Sequence, residues 1–153
     1  MRELDDAGTR AVLAVQRLQA AYGDAVTRRD WPAVVALFEP GATVHIDTRT
    51  RDPFTLEGPE AVAAFVERSL EQFAFFEFAI LNTTVDLGDD GTATGRVYLC
   101  ELRHSLTGEW TEAYGLYRDR YVRTGDDWRI AARRYTSLAR SGPPIESFEV
   151  PRD

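Results

Sequence analysis

Proton transfer near neutral pH falls most readily to histidine, and the chain has two, His45 and His104. An imidazole titrating near 6.5 suits general acid/base work, which makes His104 the first candidate; a satisfied imidazole near a hairpin end is its other reading. Two carboxylates could share the chemistry: Asp119, in YRDR, and Glu77, between Phe76 and Phe78. Asp119 fits a structural ion pair at least as well, since buried charges are usually held in pairs, and Glu77 has the strand parity of an exposed residue. Tyr22, Tyr98, Tyr117 and Tyr121 carry phenols able to donate to a developing enolate or to serve as core residues with a polar tip. Adjacent Arg133 and Arg134 must point to opposite faces of a strand, so one enters the cavity mouth to meet a carboxylate; Arg134 is taken as the inward one. The pair His45-x-Asp47 with a distant His104 lacks the convergent ligands of a metal site. No phosphate loop, nucleophile elbow or CxxC occurs. The expectation is chemistry without metal or cofactor.

These groups need elements to hold them. Val12, Val15, Leu18, Tyr22, Ala25 and Val26 recur at the spacing of an amphipathic helix from about Thr9 to Arg28, with Tyr22 on the buried stripe. Asp30-Trp31-Pro32 restarts a short helix, aspartate capping and proline tolerated in the first turn, which should stop at Glu39-Pro40-Gly41. ATVHIDTRT, residues 42–50, alternates and is β-branched, predicting a strand with His45 opposite in parity to Thr48. Gly58-Pro59 opens a third helix bearing Val62, Phe65, Val66, Leu70 and Phe73. From there to about Leu138 the period is two, giving four strands joined by tight turns. Helices followed by an antiparallel meander predict an α+β fold, the helices covering one face of a curved sheet. The expected unit is one domain over residues 1–153, with a core over 9–138 and a Pro-rich tail, 141–153, across the surface.

The third and fourth of these five strands can be registered. If Thr107-Gly108 is a two-residue turn, Leu106 pairs with Glu109, and His104 faces Thr111, Arg103 faces Glu112, Cys100 faces Gly115 and Tyr98 faces Tyr117. An Arg103–Glu112 ion pair would favour that register. Tyr98, Cys100, Leu102, His104, Tyr117, Asp119 and Tyr121 then share the inner face, a mixture of apolar and polar groups that suits a ligand cavity. A three-residue loop would invert the assignment.

Composition excludes several classes. With 153 residues, 44% hydrophobic and 28% charged, the chain is neither disordered nor membrane-like. Its longest apolar runs fall far short of the roughly 20 residues that span a bilayer, and the charged N-terminus has no signal core. One cysteine, Cys100, fits a reducing compartment, so a cytoplasmic protein is expected. Six arginines crowd GLYRDRYVRTGDDWRIAARR, residues 115–134, but alternation sends Arg118 and Arg120 away from Tyr117, Asp119 and Tyr121. With a net charge of -7, nucleic-acid binding is disfavoured.

AAYGDAVTRRDWPAVVALFEPGATVHID, EGPEAVAAFV, LNTTVDL and GLYRDRYVRTGDDWRIAARR, in that order, resemble the SnoaL-like branch of the nuclear transport factor 2-like superfamily, over about residues 10–138. The resemblance implies a cone of helices in a strongly bent, mainly antiparallel sheet around an apolar cavity, and homodimers. It also implies dehydratase, isomerase or cyclase chemistry on a hydrophobic polyketide- or terpenoid-like substrate, or a non-catalytic role as a carrier or oligomer-forming subunit. Scytalone dehydratase-like members use an Asp–His pair, a second sheet histidine and tyrosines. Here the Asp position is Thr27, the first His position Phe78 and the first-strand tyrosine Thr48, while His104 lies close to the second histidine. The resulting set is His104, Asp119 and Tyr22 for catalysis, with Thr48, Phe76, Phe78, Tyr98, Leu102, Tyr117 and Arg134 against the substrate.

Overall fold

A computed structural model describes residues 3–142 and 145–153. Helix α1, Asp6–Thr27, starts where Asp5 accepts the Gly8 N–H at 2.7 Å, and α2, Trp31–Ala36, starts where Asp30 accepts the Ala33 N–H at 3.1 Å ahead of Pro32. The Asp30 cap ahead of proline is the one expected; the Asp5 cap starts α1 three residues before the expected Thr9. Strand β1, Phe38–Asp47, follows, then β2, Phe54–Glu57, and α3, Pro59–Leu70. Four long strands complete the sheet: β3, Phe73–Leu87; β4, Thr92–Ser105; β5, Trp110–Thr124; and β6, Asp127–Arg140. A two-residue strand β7, Glu146–Ser147, pairs with the end of β6.

The order across the sheet is β2-β1-β6-β5-β4-β3, antiparallel everywhere except where β1 runs parallel to β6. This is the expected α+β cone, with the helices on the concave face. Register shifts interrupt the ladders between Ile80 and Asn82, Tyr114 and Gly115, and Arg120 and Tyr121; such bulges bend a sheet. Val15, Leu18, Tyr22 and Val26 of α1 are buried with Val97, Leu99, Tyr117 and Tyr121 of the sheet.

Three details depart from the sequence reading. The second helix ends at Ala36 and β1 already begins at Phe38, so Pro40-Gly41 sits inside the strand, in the register shift between Phe38 and Thr43. Proline has no N–H for the ladder, and a bulge accommodates it. Strand β2 has only four residues, too short for an alternation signal. The third departure matters most for function. The β4–β5 loop has three residues, Leu106-Thr107-Gly108, with Ser105 N–H donating to the Glu109 carbonyl at 2.9 Å and Gly108 at φ 98°. That left-handed glycine is the signature of a three-residue hairpin. His104 therefore faces Trp110, Arg103 faces Thr111 and Tyr98 faces Leu116. The pairing is one residue from the register derived above, and the faces of β4 are exchanged.

The chain beyond β6 doubles back over the convex face. Phe148 N–H donates to the Leu138 carbonyl at 2.8 Å, and Arg96 donates to the carbonyls of Pro151 and Asp153, both at 2.6 Å. Arg118 meets the Asp153 carboxylate at 2.8 Å. Of the expected surface tail, Pro143 and Pro144 lie outside the described residues.

Candidate functional site

The concave face encloses a cavity of about 380 Å³. Alternation along β1 turns Val44 and Ile46 into it, and Thr48 follows just past the end of the strand; α3 contributes Val62, Phe65 and Val66; β3 contributes Phe76 and Phe78. These walls are mostly apolar; besides Tyr22, Thr48, Thr50, Arg51, Ser69 and Gln72, the polar groups come from β4, β5 and β6. They form two clusters.

The inner cluster is a buried chain of hydrogen bonds. Thr83 donates to Gln19 Oε1 at 2.7 Å, Gln19 Nε2 donates to the Tyr121 hydroxyl at 2.9 Å, and Tyr121 donates to Asp119 at 2.8 Å. Arg133 grips the same carboxylate with two bonds, Nε to Oδ1 at 2.8 Å and Nη2 to Oδ2 at 2.6 Å. Asp119 faces Arg133 directly across β5 and β6, which sets this geometry. The guanidinium carbon lies 3.8 Å from the centre of the Tyr117 ring and 4.3 Å from that of Tyr22, close enough for cation–π attraction. Burial works to lower the Arg133 pKa, but the Asp119 charge and hydrogen bonds outweigh it, and the group stays cationic. Burial also drives the Tyr117 phenol well above its usual range, with Tyr22 adding and Arg133 opposing. Tyr117 is thus a protonated donor at neutral pH.

The outer cluster lies on the same face. Glu101 on β4 faces Ala113 on β5 and Phe78 on β3, and its carboxylate is 3.6 Å from Arg103. Both side chains line the cavity with Tyr135, Ser137 and Arg140 of β6. Burial raises the Glu101 carboxyl above its usual 4.5, and Arg103 only partly offsets this. The Tyr135 phenol, pushed up to about 12 by burial and then by Glu101, accepts a bond from Ser137 at 3.2 Å. Its ring lies against Gly115, where any Cβ would collide with it.

The structure brings together five of the residues proposed from the sequence. Tyr22, Thr48, Phe76, Phe78 and Tyr117 line the cavity, Phe78 stacked on Tyr117 at 5.9 Å. Asp119 is inward but lies behind Arg133, as an ion-pair partner. Four others are corrected. His104 is on the convex face, stacked on Trp110 with centroids 4.5 Å apart, and Tyr98 and Leu102 share that face because the three-residue loop inverts β4. Arg134 is exposed, and its neighbour Arg133 is the inward arginine, 3% exposed. The supposed Arg103–Glu112 pair does not form. Glu112 instead accepts from Tyr114 at 2.6 Å. His45 points away from the cavity, its Nδ1 3.0 Å from Thr55 Oγ1, and Glu77 is exposed. Among the described residues no three His, Cys, Asp or Glu side chains cluster as metal ligands do. Glu101, Arg103 and Tyr135 are not among the residues that the sequence singles out, and Arg133 is there only as the neighbour of Arg134, the one taken as inward. Gly108, at the third position of its loop, is the signal that would have turned Glu101 and Arg103 inward.

Thr27 and Phe78, which occupy the acid/base positions implied by the family resemblance, are spatial neighbours: the Phe78 N–H donates to Thr27 Oγ1 at 3.0 Å. The hydroxyl of Thr27 thereby serves the backbone of β3.

The sequence profile of the SnoaL-like domain matches residues 8–134, and the chain belongs to that family. Its fold is that of LinA, with a TM-score of 0.77 at 18% identity over 95% of this chain and 96% of that one. It is also that of hexachlorocyclohexane dehydrochlorinase LinA-type3 from Novosphingobium barchaimii LL02, with a TM-score of 0.75, 16% identity and coverage of 95% and 97%. A candidate scytalone dehydratase from Novosphingobium aromaticivorans DSM 12444 gives 0.72, 16%, 90% and 87%. At such identities the likeness is one of fold. None of the curated proteins compared matches the chain.

Proposed function

We propose that the chain is a cofactor-independent enzyme that dehydrates, isomerises or cyclises a hydrophobic, polyketide- or terpenoid-like molecule in the cone cavity. The observation that carries this reading is the Glu101 carboxyl, which opens onto a largely apolar cavity with its side chain 24% exposed and is raised above its ordinary pKa by burial, Arg103 opposing. A carboxyl raised toward neutrality is a better proton acceptor and donor than one in water. In a dehydration, Glu101 takes a proton from carbon and the C–H electron pair becomes the new double bond. The neighbouring C–O bond breaks, and the departing oxygen leaves as water with the proton handed back by Glu101. Tyr117 and Tyr135, protonated at neutral pH, orient substrate oxygens. The dehydrochlorinase and dehydratase descriptions of structures sharing the fold belong to the same broad class of elimination.

A second reading has its own support. Thr27 and Phe78 stand at the positions of the acid/base pair implied by the resemblance, which suits a non-catalytic ligand carrier. One experiment separates the two. The compound that co-purifies with the protein is identified by mass spectrometry and incubated with wild type and Glu101→Gln. Enzymatic function predicts conversion by wild type and a rate about 10²–10⁴-fold lower in the variant. A compound retained unchanged by both supports the carrier.

A further inference from the structure

Arg133 has one nitrogen without a task. Its Nε and Nη2 are taken up by Asp119, but Nη1 is buried and has no hydrogen-bond partner among the described residues. The side chain is 2% exposed and Arg133 lines the cavity. A buried donor left without a partner is costly, so such groups call for an explanation, an unfilled binding partner among them. The faces of Tyr22 and Tyr117 offset the charge, yet they supply no lone pair to either Nη1 hydrogen. Arg103 also has a buried Nε without a partner, but its side chain is 21% exposed, within easier reach of water.

We propose that Arg133 Nη1, flanked by the rings of Tyr22 and Tyr117, is an oxyanion-binding donor, and that the natural ligand presents a carbonyl or phenolic oxygen to it. This rests on the reading of the cavity as the ligand site and narrows the substrate to molecules whose oxygen gains negative charge, enolisable ketones and phenols. The Arg133–Asp119–Tyr121–Gln19 chain fixes the donor before ligand arrives, so little reorganisation is needed as charge develops. The same chain explains how a buried cation is held against the rings of Tyr22 and Tyr117. Glu101 lies four residues along β4 from Val97, the partner of Tyr117, about 13 Å at strand rise. Oxyanion donor and Glu101 therefore rise from separate levels of the wall of one cavity.

The probe is para-nitrophenol, whose absorbance reports its ionisation, compared with para-nitroanisole, which has the same ring and no ionisable oxygen. An apolar cavity alone would raise the phenol's pKa. With Nη1 as donor the sign reverses: the bound phenolate is preferred about tenfold, an apparent pKa about one unit lower. The anisole binds more weakly than the phenolate, and only the phenolate moves the Arg133 guanidinium resonances. A raised or unchanged pKa, equal binding of the two, or binding of neither overturns the proposal. Arg133→Lys should abolish the preference; if that variant fails to fold, the comparison on the wild-type protein decides alone. Glu101→Gln separates this site from the proposed catalysis. Phenolate preference retained while conversion is lost supports both. Preference without any effect of Glu101→Gln on conversion overturns only the assignment of the base, and loss of conversion without phenolate preference overturns only the oxyanion site.

Discussion

Replacing Asp119 with alanine would strand the Arg133 guanidinium in the core. The carboxylate accepts two bonds from Arg133 and one from Tyr121, and its side chain is 0% exposed against 2% for Arg133. Removing one member of a buried pair costs about 3–5 kcal/mol, because the remaining charge stays unpaired. Tyr121, its hydroxyl left without an acceptor, adds about 1–3 kcal/mol. The expected loss is about 4–8 kcal/mol, set against about 5–15 for a whole domain. Urea denaturation followed by tryptophan fluorescence measures the difference. In a chain of this size each kcal/mol shifts the melting temperature by roughly 2–4 °C, so a drop of at least about 8 °C is expected. Asp119→Leu with Arg133→Met removes both charges together and should be more stable than either single replacement. A loss below about 2 kcal/mol for Asp119→Ala, or a double variant worse than both singles, would refute the account of the pair.

Other replacements test other parts of the fold. His104→Ala, on the convex face, should leave ligand binding in the cavity unchanged and cost about 1 kcal/mol or less through its stacking on Trp110, read by ligand titration and thermal melting. Gly115→Ala drives a methyl group into the Tyr135 ring; overpacking of this kind costs about 1–3 kcal/mol, and ligand affinity should fall as the ring is displaced. Because burial raises the folded-state pKa of Glu101 above 4.5, the folded protein keeps a proton that the unfolded chain releases. Stability should therefore fall as pH climbs from about 4.5 through the folded pKa, and the stability of wild type relative to Glu101→Gln, followed by urea denaturation across that range, should fall with it. Arg96→Ala removes the donor to Pro151 and Asp153 and should speed proteolytic trimming of the last residues, measured by intact mass.

Local chemistry carried the sequence reading a long way. The stripe from Val15 to Val26 placed Tyr22 against the sheet, Asp30-Trp31-Pro32 placed the second cap, and the alternation of Tyr117, Asp119 and Tyr121 placed all three inward. What failed was information held by a single residue. A two-residue turn at Thr107-Gly108 and a three-residue loop ending at Gly108 differ by one position, and that slip moves Glu101 and Arg103 in while sending His104, Tyr98 and Leu102 out. Arg133 and Arg134 could not be separated by type, because the choice depends on which residue β6 sets opposite Asp119. The opening of β1 was hidden by Pro40-Gly41, which reads as a terminator and is here a bulge within the strand.

The parallel contact of β1 with β6 has a consequence for how the chain acquires its cavity. Strands β3 to β6 are hairpin neighbours and can zip together from nearby turns. Strand β1 must find residues such as Tyr135 and Thr136 across most of the sequence, and distant pairings of this sort are slow to close. Val44 and Ile46 of β1 form part of one wall of the cavity, so that wall depends on a long-range pairing. A folding intermediate with the meander formed and β1 still free would have Tyr117 and Arg133 in place yet no enclosed space, and ligand binding would report the last step of folding rather than the first.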